Sequence, residues 1–377
     1  MSIPELSFGV GCFHFGVKKA APFKFLGSEY LEKLKTALAS IPSINNIDIG
    51  GEGISKWAFD VAKNIPSIRD STNYFPARLF ITISFEVFIP FRIQEEILRK
   101  ESRTLTERFH VKCDYGHSSP IAIISLLNPS GKPRPGDGVI VVRKFLEKEI
   151  NKPSQDYINF EILGPSPFHA NFYLEPAEGN VGEGEEEWRY RVDDRRKIRG
   201  YDEIRFFYNK SHFENAKKAM GEIYWDISDE IALFYSVVNQ QDIRVHEWVE
   251  TNKVLEKLIT VQNMTGARGL VGRFFGCGGL ISKALTDLAV FLARGLQLTE
   301  GNNKKFEDVY RYRKQPAIQS FVEKEIKHPY YFPAREYSDL VSFYERRRSK
   351  TLEILIVLVS TVLGGSIGAL LTLLLTK

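Results

Sequence analysis

Cysteine is scarce in this chain of 377 residues: Cys12, Cys113 and Cys277 stand far apart and are odd in number. That excludes a disulfide framework and points to a reducing compartment. The first residues, Met1-Ser-Ile-Pro-Glu-Leu, lack a basic segment followed by an unbroken apolar core. No secretory signal is expected, and the body is assigned to the cytoplasm. A strong excess of either charge is missing too. The formal net charge of +4 is mild for this length and gives no ground for a nucleic-acid partner. Apolar residues are not in deficit: 43% hydrophobic and 26% charged residues are the composition of a folded chain. The length allows two or three domains.

Several motifs are absent or incomplete. No phosphate-binding loop of the form G-x-x-x-x-G-K-[ST] occurs, and Gly9-Val10-Gly11 lacks the third glycine of a dinucleotide loop. His246 and Glu247 open like a zinc-protease helix, but Glu250 stands where the second histidine is needed. His110, Cys113 and His117, with Asp114 between, have zinc-binding chemistry. On a strand, however, His110 and Cys113 point to opposite faces, and only a bend near Tyr115-Gly116 would bring them together. No metal and no cofactor is therefore expected, and Cys113 reads as a buried strand residue.

What the sequence does have is one long apolar run. From Ile354 to Leu375 there are 22 residues without a charge, about 33 Å as a helix at 1.5 Å per residue, enough to cross a bilayer's hydrocarbon. The span reads as about 352–376. Arg346, Arg347, Arg348 and Lys350 precede it and only Lys377 follows. By the positive-inside rule the body and this collar lie on the cytoplasmic side, with anionic headgroups as partners of the collar. Ser360, Gly364, Gly368 and Thr372 recur every fourth residue, a small-residue stripe that favours self-association in lipid. The string Gly364-Gly365-Ser366-Ile367-Gly368 matches a hydrolase elbow only formally, because it lies in a continuous apolar helix.

The fold class expected is α+β: a strand-rich domain over 1–210, a helical region over 211–300, a connection with the basic collar over 301–350, and the tail over 351–377. Residues 28–40 predict an amphipathic helix with Leu31, Leu34 and Leu38 on one face. Ile81, Ile83, Phe85, Val87, Ile89, Phe91 and Ile93 alternate at period two and predict a strand. Pro90 is expected at an edge or bulge. Further strands are expected at 107–115, 120–127, 138–143, 157–163, 169–175, 188–192 and 202–208, with a helix at 143–152. Gly131 to Gly138 and Glu178 to Glu187 read as exposed connections.

Beyond Ser211 the texture is helical. Over 229–263 a heptad frame fits, with Ile231, Val238, Val245, Asn252 and Ile259 at a, and Phe234, Gln241, Trp248, Leu255 and Gln262 at d. Two readings follow: a coiled coil between copies, registered by Asn252, or an antiparallel bundle inside one subunit. Residues 280–298 form an amphipathic helix with Leu280, Ile281, Ala284, Leu285, Leu288, Phe291 and Leu292 on one face. That face packs in a core or lies on a membrane.

Two basic stretches interleave with aromatics. Arg189, Arg191, Arg195, Arg196, Lys197 and Arg199 alternate with Trp188, Tyr190 and Tyr201, chemistry suited to phosphates, headgroups or stacked bases, unless acidic neighbours pair with them. Lys304, Lys305, Arg311, Arg313 and Lys314, with Tyr310 and Tyr312, form the second. The expectation is a membrane-tethered, non-enzymatic sensor or effector that forms a homo-oligomer and answers to a protein or small-molecule ligand. A bacterial defence effector acting at the membrane is one version of that layout. A membrane-anchored enzyme on a nucleotide, lipid or phosphorylated substrate would instead need a polar pocket of Arg195 and Arg199 with His169 or Asp202. An adaptor recruiting a partner would expose an apolar patch.

Overall fold

A computed structural model describes residues 4–17, 24–51, 58–60, 81–115, 120–152, 157–162, 164, 166–177, 188–195, 202–266, 272, 276–313 and 315–375. They form two compact units, Met1–Asp242 with Asn302–His328, and Ile243–Gly301 with Pro329–Lys377. The class is α+β.

The first unit is built on an eight-stranded sheet. Its strands are β1 (Leu6–Gly11), β4 (Ile44–Gly51), β6 (Ile81–Phe88), β7 (Arg108–Asp114), β8 (Ile121–Leu126), β10 (Ala170–Pro176), β11 (Tyr190–Arg195) and β12 (Asp202–Tyr208). They are ordered β11-β12-β10-β1-β8-β7-β6-β4, antiparallel except for the parallel pair β10 and β12. Two small ribbons, β2 (Phe13–Val17) with β9 (Ile158–Ile162) and β3 (Lys24–Leu26) with β5 (Ala58–Asp60), complete the strands among the described residues.

The period-two pattern of β6 and β7 puts Ile81, Ile83, Phe85 and Val87 with Phe109, Val111 and Cys113 on one face. That face is covered by α1 (Gly27–Ala39) and α3 (Pro135–Ile150), which supply Tyr30, Leu34 and Leu38, and Val139, Val142 and Leu146. The opposite face, from Phe8, Val10, Phe172, Leu174, Ile204 and Phe206, is covered by α4 (Ala216–Asn263) and α6 (Gln319–Lys327). The helices thus cover opposite faces at opposite ends. The middle strand β8 is buried on both sides, which is why its sequence lacks alternation.

His110 and Lys112 lie on the face away from Cys113, as their spacing requires. There Lys112 Nζ sits 3.7 Å above the Tyr224 ring, while the Tyr224 hydroxyl donates to Asp114 at 2.7 Å. Gly9 and Gly11 belong to β1, against α3. A Cβ at Gly9 would lie 2.5 Å from Val139 Cγ2 and 2.8 Å from the Pro135 carbonyl oxygen, so glycine there permits close helix-on-strand packing.

Three expectations are corrected. Gly131 to Gly138 is not an exposed connection throughout, because Pro135, Gly136, Asp137 and Gly138 are buried in the first turn of α3. The run over 138–143 is part of α3, not a strand: its β-branched residues mimic a strand, but Pro135 opens the helix and Val139, Val142, Leu146 and Ile150 are buried at helical spacing. The strand expected through Ile93 stops at Phe88, because Pro90 caps α2 (Phe91–Leu98). Gln94 of α2 is buried, donating to the carbonyls of Ile89 (2.8 Å) and Thr106 (2.9 Å).

The second unit is helical. The later part of α4, the early part of α5 (Cys277–Tyr310) and the early part of α7 (Ala334–Leu375) bury Val254, Leu258, Cys277, Ile281, Ala284, Leu288, Tyr337 and Val341 together. Trp248 lies 5.2 Å from Phe291 and 5.7 Å from both Phe332 and Tyr337. Of the apolar face of 280–298, Ile281, Ala284, Leu288 and Phe291 are buried in helix packing, Leu280 and Leu285 are half-buried, and Leu292 is exposed. On α4 the buried positions Val254 and Leu258 fall outside the heptad seam and Val245, at an a position, is exposed, while Ile231 at a and Phe234 at d are buried in the first unit. From there α7 continues unbroken through the charge-free run, including the Gly364–Gly368 stretch.

Candidate functional site

A cleft of about 540 Å³ opens in the first unit, lined by residues from three places: Trp188, Arg189 and Tyr190 at the start of β11, Glu222 and Asp226 of α4, and Val309, Tyr312, Arg313 and Gln315 around the end of α5. β11 is the edge strand of the sheet and pairs only with β12 among the described strands. Tyr190, opposite Tyr208 in the register, turns its ring toward Phe206 at 6.0 Å. The flat sheet edge supplies aromatic walls, and the polar face of α4 supplies carboxylates.

The two basic stretches of the sequence each send one arginine here. Arg189 pairs with Glu222, and its side chain remains 60% exposed; such a surface pair is worth about 0–1 kcal/mol and exchanges readily. Arg313 is held more firmly, with 3.2 Å to Glu230 and 3.4 Å to Asp229. Glu230 is buried and also accepts from the backbone amides of Ala317 (3.1 Å) and Ile318 (2.8 Å) and from the Tyr310 hydroxyl (3.1 Å). Burial raises the Glu230 pKa, while those amides and Arg313 pull it back. The Tyr190 hydroxyl donates to Asp226 at 2.6 Å, and burial with that carboxylate raises its pKa, so it stays a donor. Tyr312 is 85% exposed at the mouth.

No protein-family model, curated protein or solved structure matches this chain. The chemistry of the cleft therefore stands on its own residues.

Arg191 is not in the lining; its guanidinium stacks 4.4 Å from the Trp188 ring and backs that wall. Arg195 belongs to β11 by backbone pairing with Glu203. Arg196, Lys197, Arg199 and Tyr201 lie outside the described residues, as do His117, Lys314, Lys377 and the acidic run 178–187. The pocket expected of an enzyme around His169 and Asp202 is not this one: His169 is exposed, and neither residue lines the cleft. Among the described residues no group of three or more His, Cys, Asp or Glu could hold a metal ion.

The carboxylates were missed in the sequence, yet a signal was there. Glu222, Asp226 and Glu230 recur at i, i+4 and i+8, an acidic stripe along one helix face. The collar divides: Arg346, Arg347 and Lys350 are exposed, whereas the Arg348 guanidinium lies against Gly278. Ser360 and Gly364 are exposed along α7, and the backbone of Gly368 and Thr372 continues the same helix.

Proposed function

We propose that this chain is a membrane-tethered sensor or effector in which the first unit binds a ligand at the cleft and α7 places the complex in a bilayer. The observation that carries it is α7: one helix long and apolar enough to cross a membrane, with none of its most apolar stretch buried inside the structure. The exposed Arg346, Arg347 and Lys350 before that stretch orient the folded units toward the cytoplasm. The stripe of Ser360, Gly364, Gly368 and Thr372 is the contact between copies.

The lining of the cleft suggests the ligand. Aromatic Trp188, Tyr190 and Tyr312 offer stacking surfaces, and Arg189 can leave Glu222 for an anionic group. Glu222 and Asp226 stand close by and oppose a highly charged ligand, so a planar molecule with one anionic group fits better than a polyphosphate. α4, which walls the cleft with Glu222 and Asp226, also supplies Val254 and Leu258 to the helical bundle, where they pack with Tyr337 and Val341 of α7.

The test uses the full chain in detergent. Its sedimentation mass, wild type against Gly364→Leu with Gly368→Leu, should fall from an oligomer to a monomer. A wild type that is already a monomer removes the assembly part. A fluorescence screen of mononucleotides should find a ligand whose quenching is lost in Trp188→Phe. Turnover of that ligand would move the reading to the membrane-anchored enzyme.

A further inference from the structure

Two opposite walls of the cleft hold each other by polar links of unequal strength. Glu222 and Asp226 stand at i and i+4 on α4, so they are neighbours about 5–6 Å apart at the Cβ atoms, and their carboxylates repel. The chain at the head of β11 answers both. The Tyr190 hydroxyl donates to Asp226 at 2.6 Å, and the Tyr190 ring lies 6.0 Å from Phe206 in the core. Arg189 pairs with Glu222, but these two side chains remain 60% and 31% exposed. Water reaches that second pair, and so does any solute that enters the cleft.

An anionic group that draws Arg189 away leaves Glu222 beside Asp226 without a counter-charge. The other arginine of the lining does not fill the place: Arg313 is tied to Glu230 at 3.2 Å and Asp229 at 3.4 Å, and its side chain is only 13% exposed. The ligand must therefore bring the replacement itself. A carboxylate offers two acceptors side by side, and the group that meets both is a pair of adjacent N–H donors. A ring stacked on an aromatic wall presents its edge to such a group. Among the nucleobases only guanine carries that edge, a ring N–H next to an exocyclic amino group. Adenine and cytosine set one donor beside an acceptor, and uracil sets its single N–H between two carbonyls. The cleft volume of about 540 Å³ is that of a site for one small molecule.

We infer that the cleft selects a guanine mononucleotide, whose phosphate takes Arg189 and whose donor edge takes Glu222 in the place Arg189 leaves. The inference rests on the reading of this cleft as the ligand site. The exposed ion pair then works as a two-part lock. A ligand with only the anion or only the edge leaves one member of the pair uncompensated, so the two ends strengthen each other.

The test is calorimetric titration of the full chain in detergent with guanosine monophosphate, inosine monophosphate, uridine monophosphate and guanosine. Inosine monophosphate lacks only the amino group, and guanosine lacks only the phosphate. Guanosine monophosphate should bind at least about tenfold more tightly than each of the other three. Glu222→Gln replaces one of the two acceptors with a donor. In that variant the preference for guanosine over inosine monophosphate should fall to within about twofold. Uridine monophosphate, which uses only Arg189 and the stacking walls, should bind the variant at least as tightly as the wild type and so show that it is folded. If the wild type binds the three monophosphates within about threefold of one another, or if Glu222→Gln keeps the preference, the selection is refuted while the cleft stands as a ligand site. If none of the four binds, the reading of the cleft falls and takes the selection with it.

Discussion

Acidification should loosen the first unit through one residue, His14. Its side chain is 7% exposed on β2, opposite Glu161 and 5.9 Å from the Tyr115 ring. Burial lowers its pKa from 6.5 to about 4. A depressed folded pKa means that the folded state binds the proton less well than the unfolded chain. The stability is therefore whole above pH 6.5 and is lost as pH falls toward 4. At pH 5 the unfolded histidine is mostly protonated and the folded one mostly neutral, a difference of about 2 kcal/mol, or roughly thirtyfold in the opening equilibrium. Glu161 shifts the opposite way, its pKa raised by burial, so the histidine must be isolated by comparison with His14→Gln. The assay is amide hydrogen exchange of the peptide covering Phe13–Val17, wild type against variant, at pH 7 and pH 5. The protection ratio should move by about thirtyfold in the variant's favour between the two pH values. A ratio that does not change with pH would refute the reasoning.

Other consequences are as concrete. Glu230→Gln removes a buried carboxylate from two backbone amides, Tyr310 and Arg313, and should cost about 2–4 kcal/mol in urea unfolding. It should also leave Arg313 at the cleft paired with Asp229 alone. Gly9→Ala forces a methyl group against Val139 and the Pro135 carbonyl and should cost about 1–3 kcal/mol, whereas alanine at Gly50, with nothing within 4 Å, should unfold at the wild-type urea midpoint. Trp248→Ala empties the centre of the cluster of Phe291, Phe332 and Tyr337 and should lower bundle stability by about 3 kcal/mol, read by exchange at Val254 and Leu258.

The parts of the fold legible in the sequence were those whose burial is one-sided. β6 and β7 alternate cleanly because one face meets a core and the other does not, and α1 shows its Leu34 and Leu38 stripe for the same reason. β1 and β4 escaped. β1 carries two glycines where α3 presses on it, and β4 is rich in Asn, Asp and Gly at the sheet edge, compositions that locally favour turns. α3 was misjudged over 138–143 because local β-propensity lost to tertiary packing. The cleft was half visible: Trp188, Arg189 and Tyr190 stood out as a basic aromatic string. Nothing local announced that Glu222 and Asp226, more than thirty residues on, would face them. Sites assembled from distant elements leave no short pattern.

The central place of β1 sets the order in which the sheet can be built. Its neighbours are β8, where Ser7 meets Leu126, and β10, where Phe8 meets Phe172, both more than about a hundred residues downstream. The meander β6-β7-β8 closes between sequence neighbours and loses little loop entropy. The earliest strand in the chain is therefore among the last to find its place: it must wait as an unpaired, apolar segment until both partners exist. Phe8 and Val10 should be the slowest part of the core to gain protection, and the residues through which an unfinished chain is most exposed to aggregation.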